Sequence, residues 1–345
     1  METGAGTHQS NPKRPAAKPG RFFLQENMLP MKLLFIADPL EDFKISKDST
    51  YAMMQEAQAR GWSVAACELH DMFWQAESGV VAQCKTIELI AAQPGFTAKN
   101  PWFAIKNEAS LALKDFDAVL MRKDPPFDSV YLQATQLLEY ARGRTFLMND
   151  PRGLREANEK LYIFNFPDLL APTIVTRRYD VLRAFMAEQG GQMIVKPLDG
   201  FGGSSVFQVR AEDTNTTSIL EIMTQSEHRW VMAQRFLPEI AQGDKRIILI
   251  NGKPVGIIKR VPPKGEIRSN MRLGGLPERC DFSARDLEIC ARIGPTLNER
   301  GLYLAGIDVI GDFLTEINVT SPTGLRTIHH LYNVDLAKAF WDGLA

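Results

Sequence analysis

The chain has 345 residues, 45% of them hydrophobic and 23% charged, and its formal net charge is −1 at pH 7. This length accommodates two or three domains of about 100–200 residues each. A net charge near zero argues against nucleic-acid or membrane-surface binding driven by bulk electrostatics, so an anion site would have to be a local cluster of charges. No apolar run approaches the ~18 residues of a membrane span, and no signal-peptide core stands near the start.

The cysteines indicate a reducing compartment. Cys67, Cys84, Cys280 and Cys290 show neither CxxC nor metal-ligand spacing. Reduced thiols without such a pattern are usual in cytosolic proteins. We therefore expect a cytoplasmic protein with neither a nucleic-acid nor a membrane partner.

The N-terminal part predicts a parallel α/β domain. Residues 1–30 are rich in Gly, Pro, Ala, Lys and Arg without periodicity, which is typical of a disordered extension. After it, apolar strands alternate with amphipathic helices, the order that builds a parallel sheet. The strands are expected at 32–37, 62–68, 117–121 and 145–148, and the helices at 50–60 and 130–142. Between residues 71 and 113 we expect only a weak strand or two and a polar loop.

The run MRKDPPFD (121–128) follows a core strand and places several charges around a rigid Pro-Pro. Ligands of open α/β sheets bind beyond the carboxyl ends of the strands. Arg122 and Lys123 at such an end suit a carboxylate or a zwitterionic substrate. The alternative is a solvated Asp-Pro turn.

A glycine-rich hairpin at 193–210, MIVKPLDGFGGSSVFQVR, predicts a phosphate site. Its glycines can take positive φ and let backbone N–H groups approach an anion, and Lys196 adds a point charge for phosphate. It is neither a P-loop nor a dinucleotide fingerprint, because a strand follows the turn instead of a helix. The alternative is a plain hairpin with a lysine at the surface. Lys160, near the end of a helix expected at 152–161, has the same alternative.

Two segments that follow resemble a hinge and a cover. The strand 230–236 leaves through Leu237, Pro238 and Glu239, a connection typical of a hinge between two lobes. A hairpin around Asn251-Gly252 then leads into residues 261–277. That segment is too polar and glycine-rich for a core and is long enough for a mobile cover.

The final hairpin, at 303–323, predicts a metal site. Glu316 and Asn318 lie two residues apart and therefore face the same side of their strand, and a plausible register places Asp308 beside them. Oxygen ligands at the end of a nucleotide cleft suit Mg²⁺ that also binds phosphates. The alternative, solvated charges, fits poorly with the apolar neighbours Ile307 and Ile317.

The order of these features resembles the ATP-grasp fold. Several runs are more specific and resemble the prokaryotic type of glutathione synthetase over residues 31–330: MRKDPPFD (121–128), NEKL (158–161), VKPLDGFGG (195–203), GDKR (243–246) and GIDVIGDFLTEINVTSPT (306–323). The resemblance implies an α/β protein with a Rossmann-like parallel N-terminal domain (31–150), a small ATP-lid subdomain (151–240) and a C-terminal α+β catalytic subdomain (241–345).

The resemblance also implies roles for individual residues. For ATP these are Lys160 and Lys196 at the phosphates, the turn residues Asp199, Gly200, Gly202, Gly203 and Ser204, the adenine hinge Gln234, Arg235, Phe236 and Leu237, and Asp244 at the ribose. Asp308, Glu316 and Asn318 would hold two Mg²⁺ ions, for which Mn²⁺ is a possible substitute. The residues that would contact the substrate are Arg122, Asp124, Arg268 and Ser321. Those that would bind the reacting carboxylate and phosphate are Arg246, Arg268 and Asn270.

The implied reaction joins γ-glutamylcysteine to glycine with ATP, through an acyl phosphate, and gives glutathione, ADP and phosphate. The family tends to form homo-oligomers. Two other functions remain open at this point. The chain could be another ATP-grasp carboxylate–amine ligase, joining D-alanines or adding glutamate, or a catalytically silent ATP-binding module. The complete oxygen-ligand set argues against a silent module, which has no need for metal ligands.

Overall fold

The computed structural model describes residues 30–90 and 102–344. The extension predicted for residues 1–30 therefore lies outside the described residues, apart from Pro30. The described residues form three sheets, and the strands and turns of the second and third sheets carry most of the predicted site.

The first sheet has seven strands: β1 Lys32–Ile36, β2 Ser63–Cys67, β3 Met72–Gln75, β4 Gly79–Leu89, β5 Phe103–Ala112, β6 Ala118–Met121 and β7 Phe146–Met148. Its helices are α1 Ser49–Ala59, α2 Ser129–Glu139 and α3 Pro151–Glu156. The strands β2, β1, β6 and β7 lie side by side and run parallel, which confirms the predicted parallel core.

The expectation of only a weak strand or two between residues 71 and 113 is wrong, and residues 91–101 of this region lie outside the described residues. This region supplies β3, β4 and β5, and β4 pairs antiparallel with β2, β3 and β5. The sheet is therefore mixed. The strand β5 exposes most of its central side chains to solvent, so its polar residues resemble a loop in the sequence.

The second sheet contains the glycine-rich hairpin. Its strands are β8 Thr173–Thr176, β9 Gln192–Pro197, β10 Phe207–Arg210 and β11 Val231–Arg235, in the antiparallel order β10-β9-β11-β8. The helices α4 Tyr179–Glu188 and α5 Thr216–Thr224 belong to the same part of the chain. Leu182, Val195 and Leu220 are buried together in a core of their own, so this sheet has a hydrophobic core distinct from the rest.

The third sheet has the order β14-β13-β12-β15-β16. Its strands are β12 Asp244–Ile250, β13 Lys253–Val261, β14 Leu276–Glu278, β15 Leu304–Ile310 and β16 Phe313–Asn318, and the helices are α6 Ala284–Glu299, α7 Leu325–Tyr332 and α8 Leu336–Asp342. The predicted hairpins β12–β13 and β15–β16 are confirmed. The predicted cover at 261–277 is shorter than expected, because β14 pairs with β13. No helix in the described ranges is long and apolar enough to cross a membrane.

The first and third sheets share a hydrophobic core. Trp341 packs edge-on against Phe35, with ring centroids 6.4 Å apart, and its indole N–H donates to the Met53 carbonyl at 3.0 Å. Asn149, directly after β7, joins the same two parts by hydrogen bonds. Its Nδ2 donates to the carbonyl oxygen of Leu304 at 2.8 Å, and its Oδ1 accepts from the Leu304 N–H at 3.0 Å.

We expect Asn149→Ala to lower the free energy of unfolding by about 3 kcal/mol, because it leaves buried backbone groups without partners. Asn149 is 3% exposed, and its Nδ2 also donates to the Val319 carbonyl at 2.6 Å. Urea unfolding measures the change. The matched control is Asn215→Ala, at an exposed position whose side chain caps no helix, where we expect a change within about 0.5 kcal/mol. Equal changes in the two variants would contradict the bridging role.

Candidate active site

The hairpin β15–β16 brings the predicted metal ligands together. Asp308 lies directly opposite Glu316, and Asn318 lies opposite Gly306, which is the register expected from the sequence. The Asn318 Nδ2 is 3.5 Å from Asp308 Oδ2. Two carboxylates and one amide therefore share one side of this hairpin.

Two arginines from neighbouring strands hold the Asp308 carboxylate. Arg246 Nη2 is 2.8 Å from Asp308 Oδ2, and Arg260 Nη2 is 3.1 Å from Asp308 Oδ1. Burial opposes the negative charge on Asp308, but the two guanidinium groups outweigh it and hold the pKa of this carboxyl well below its usual range. Arg246, predicted at the reacting phosphate, thus lies against a predicted metal ligand.

Arg260 is a site residue that the sequence reasoning missed. Its Nε donates to Asp244 Oδ1 at 2.8 Å, so the predicted ribose ligand Asp244 is held in a buried ion pair. Burial raises the pKa of Asp244 overall, although Arg260 opposes the rise. Asp244 and Arg260 are direct partners in the β12–β13 hairpin only because an irregularity between Ile248 and Leu249 shifts the register by one residue, so no local signal in the sequence indicates this pair.

Two lysines approach the other carboxylate. Lys196 Nζ is 3.3 Å and Lys160 Nζ 3.7 Å from Glu316 Oε1. Burial opposes a charge on Glu316, but the two ammonium groups hold the pKa of this carboxyl below its usual value. Burial lowers the pKa of Lys196, whereas at Lys160 the nearby carboxylates outweigh burial and raise the pKa of its ammonium group.

The predicted helix 152–161 is wrong beyond Glu156, where α3 ends. The Asn158 side chain accepts hydrogen bonds from the backbone N–H groups of Lys160 and Leu161, each at 3.0 Å. Asparagine offers the backbone such an alternative to helical hydrogen bonds. Lys160 is 2% exposed, so it is not a surface lysine.

The turn between β9 and β10 lies against the segment 261–277. Gly202 and Gly203 have φ of +65° and +79°, a conformation that favours glycine. A Cβ on Gly203 would lie 3.0 Å from Leu273 Cδ1 and 3.4 Å from the Cβ of Asn270. The turn and the cover therefore touch, with Asn270 in the contact. Asp199, by contrast, pairs with Arg229 and is largely exposed.

A cleft of about 870 Å³, including its open mouth, lies between these elements, within the usual size range of small-molecule sites. It is lined by eleven of the predicted residues: Lys196, Gly203, Gln234, Arg235, Phe236, Leu237, Asp244, Arg268, Asn270, Asp308 and Glu316. The other predicted residues are not in its lining: Lys160, Asp199, Gly200, Gly202, Ser204, Arg246 and Asn318, and the substrate residues Arg122, Asp124 and Ser321.

The predicted substrate residues lie where the first sheet meets the C-terminal part of the chain, which contains the third sheet. Arg122 is 3% exposed, and its Nη2 donates to the carbonyl of Pro322, next to Ser321, at 3.2 Å. Asp124 pairs with Arg272 of the cover. Arg122 and Ser321 are therefore brought together, while Asp124 connects the MRKDPPFD loop to the cover.

The donor set on β15–β16 fits Mg²⁺. The contacts to Arg246, Arg260 and Asn318 occupy the roughly four lone-pair sites of the Asp308 carboxylate, so a bound cation would replace at least one of these contacts. Within the described ranges no three His, Cys, Asp or Glu side chains form a metal cluster. Two carboxylates and the Asn318 amide oxygen are the kind of partial oxygen set that Mg²⁺ completes with water and substrate phosphates.

The comparisons with known proteins agree with this geometry. Residues 31–155 match the family described as prokaryotic glutathione synthetase, N-terminal domain, and residues 159–333 match its ATP-grasp domain. The glutathione synthetase of Vibrio vulnificus strain YJ016 is 43% identical over 317 residues, covering 91% of this chain and 97% of the relative. The glutathione synthetase of Neisseria meningitidis serogroup A is 46% identical over 320 residues. This match covers 91% of this chain and 98% of the relative.

Solved structures show the same fold at low sequence identity. D-cycloserine synthetase DcsG superposes with a TM-score of 0.62 at 14% identity, covering 91% of this chain and 100% of that one. The ATP-grasp ligase PsnB with its minimal precursor superposes with a TM-score of 0.59 at 17% identity. The match covers 92% of this chain and 98% of that one. The expected ATP-grasp fold is thereby confirmed, and the chain belongs to the prokaryotic glutathione synthetase family.

Proposed function

We propose that this chain ligates γ-glutamylcysteine to glycine with ATP, giving glutathione, ADP and phosphate. The observation that carries the proposal is the group of compensated charges around Asp308 and Glu316, in a cleft of nucleotide size. Relatives at this level of identity, named as glutathione synthetases, support the choice of substrates.

ATP would occupy the cleft between the second and third sheets. Lys160 and Lys196 would neutralise its phosphates beneath the glycine turn 199–205, the hinge residues Gln234–Leu237 would contact adenine, and Asp244 would meet the ribose. The turn supplies backbone N–H groups, and the lysines supply charge, so that the γ-phosphoryl group would be held in line with its acceptor.

The reaction would proceed in two steps. A cysteinyl carboxylate oxygen attacks the γ-phosphorus and ADP leaves, which forms an acyl phosphate. The glycine amine then attacks the acyl carbon, phosphate leaves and the amine loses a proton. Arg246, Arg268 and Asn270 would stabilise the charge that develops, while Arg122, Asp124 and Ser321 would orient the dipeptide.

Asp308, Glu316 and Asn318 would hold Mg²⁺, with Mn²⁺ as a possible substitute and two ions as the expected number. Such ions supply charge neutralisation between phosphate oxygens during phosphoryl transfer. The segment 261–277 would exclude water that otherwise hydrolyses the acyl phosphate. We further propose a homo-oligomer in the cytoplasm, with residues 31–150, 151–240 and 241–345 as its three functional parts.

The substrate requirement is measured by phosphate release from Mg-ATP. We expect release that needs both γ-glutamylcysteine and glycine, because the acyl phosphate is shielded until an amine attacks it. Release with D-alanine alone, or with glutamate as acceptor, would assign the chain to another carboxylate–amine ligase. Folded protein that binds ATP but releases no phosphate with any acceptor would indicate a silent module.

We expect Glu316→Gln to lower kcat by more than about 100-fold, equivalent to about 3 kcal/mol of transition-state stabilisation. The change removes a proposed metal ligand and the shared partner of Lys160 and Lys196. Steady-state kinetics with a circular dichroism check of folding measure it. The control is Glu288→Gln, on an exposed face of α6 where the carboxylate is 58% exposed. Unchanged activity in folded Glu316→Gln would rule out the metal assignment.

We expect Gly203→Ala to raise the KM for ATP about tenfold, since a strained backbone and a displaced contact cost of order 1–3 kcal/mol. The added Cβ would press on Leu273 at 3.0 Å and move the turn away from the cover. Gly143→Ala is the matched control, because Gly143 has φ of +75° with nothing within 4 Å of the added carbon. An equal KM for ATP in both variants would show that the turn takes no part in ATP binding.

A further inference from the structure

Glu159 is a charged group close to Glu316, which lines the cleft, and it has no role in the reaction described above. Its side chain is 18% exposed and pairs with Lys160 Nζ. Its backbone carbonyl accepts from the Ile317 N–H at 2.9 Å, so the residue is fixed to β16 next to Glu316. Burial, and then repulsion from Glu316, raise the pKa of Glu159. A carboxylate kept in such a place needs a partner.

Lys160 is this partner, and its surroundings show which groups its ammonium N–H donors face. An ammonium group has three N–H donors. One is directed to Glu159 and one to the Gly200 carbonyl at 2.5 Å. The third faces Glu316 Oε1, at 3.7 Å, a distance too long for a hydrogen bond. Two donors are therefore fixed by the protein, and the third faces the carboxylate proposed to bind metal.

We propose that Glu159 is a positioning residue that holds the Lys160 ammonium group ready for the ATP phosphates and, through the Gly200 carbonyl, fixes the near end of the glycine turn. The inference rests on the proposed function of Lys160. If Glu316 were to bind a cation, Glu159 would remain as the counter-charge of Lys160. The third N–H is then free to donate to a phosphate oxygen.

The test is Glu159→Gln, which keeps the shape of the side chain and removes its charge. We expect ADP affinity, measured by calorimetry, to fall about tenfold, equivalent to about 1.4 kcal/mol. The KM for ATP should rise in parallel, while kcat and the KM for γ-glutamylcysteine stay within about twofold. Glu159→Asp retains the charge and should recover part of the affinity. Glu156→Gln, which breaks only an exposed pair with Arg300, should change none of these values.

A double-mutant cycle separates positioning from a general loss of structure. If Glu159 acts through Lys160, the effect of Glu159→Gln on ADP affinity disappears in a Lys160→Met background. Full additivity would overturn the inference, as would unchanged ADP affinity in Glu159→Gln. A lower melting temperature with normal ADP affinity would also overturn it. Because ADP binding needs no ligase turnover, weaker binding in the variant would support the inference even if the wild-type chain made no glutathione.

Discussion

The structure depends on the compensation of buried charge around the hairpin β15–β16. Asp308 is 5% exposed, and a carboxylate taken from water at such a depth is stable only when opposite charges and hydrogen bonds replace the lost hydration. Arg246 and Arg260 supply them, and Lys160 and Lys196 do the same for Glu316. Removal of one partner would leave the others as uncompensated charges.

These cations come from separate parts of the chain. Arg246 and Arg260 lie on β12 and β13 of the third sheet, Lys196 lies on β9 of the second sheet, and Lys160 precedes the second sheet. The charge group can therefore form only when the second and third sheets face each other. The same arrangement creates the cleft, which makes the binding site and the charge compensation two results of one packing.

The sequence predicted those elements whose signals are local. Alternating apolar residues and the Asn251-Gly252 turn identified the hairpins of the third sheet, and the two-residue periodicity placed Glu316 and Asn318 on one side. The pairing of Asp308 with Glu316, expected only as a plausible register, depends on an irregularity between Asp308 and Val309 that shifts the pairing by one residue from the count that starts at the Gly311-Asp312 turn. Arg122 was identified because it follows a buried strand at the edge where ligands bind.

Other features depend on contacts that are distant in the chain or hidden by polar residues. The end of α3 at Glu156 depends on the Asn158 side chain, which hydrogen-bonds to the backbone where helical periodicity would continue. The role of Arg260 requires knowledge of the strand opposite it. The strand β5 was missed because its solvent-facing side chains resemble those of a loop.

The acyl-phosphate route is tested most directly by measuring whether an oxygen atom passes from the dipeptide to the released phosphate. With γ-glutamylcysteine labelled with ¹⁸O in its cysteinyl carboxylate, Mg-ATP and glycine, mass spectrometry of the released phosphate reports which bond forms. We expect one labelled oxygen in each phosphate, because the carboxylate oxygen that attacks the γ-phosphorus leaves with it when glycine attacks. Phosphate without label, accompanied by glutathione, would contradict the acyl-phosphate route and the roles given to the cleft.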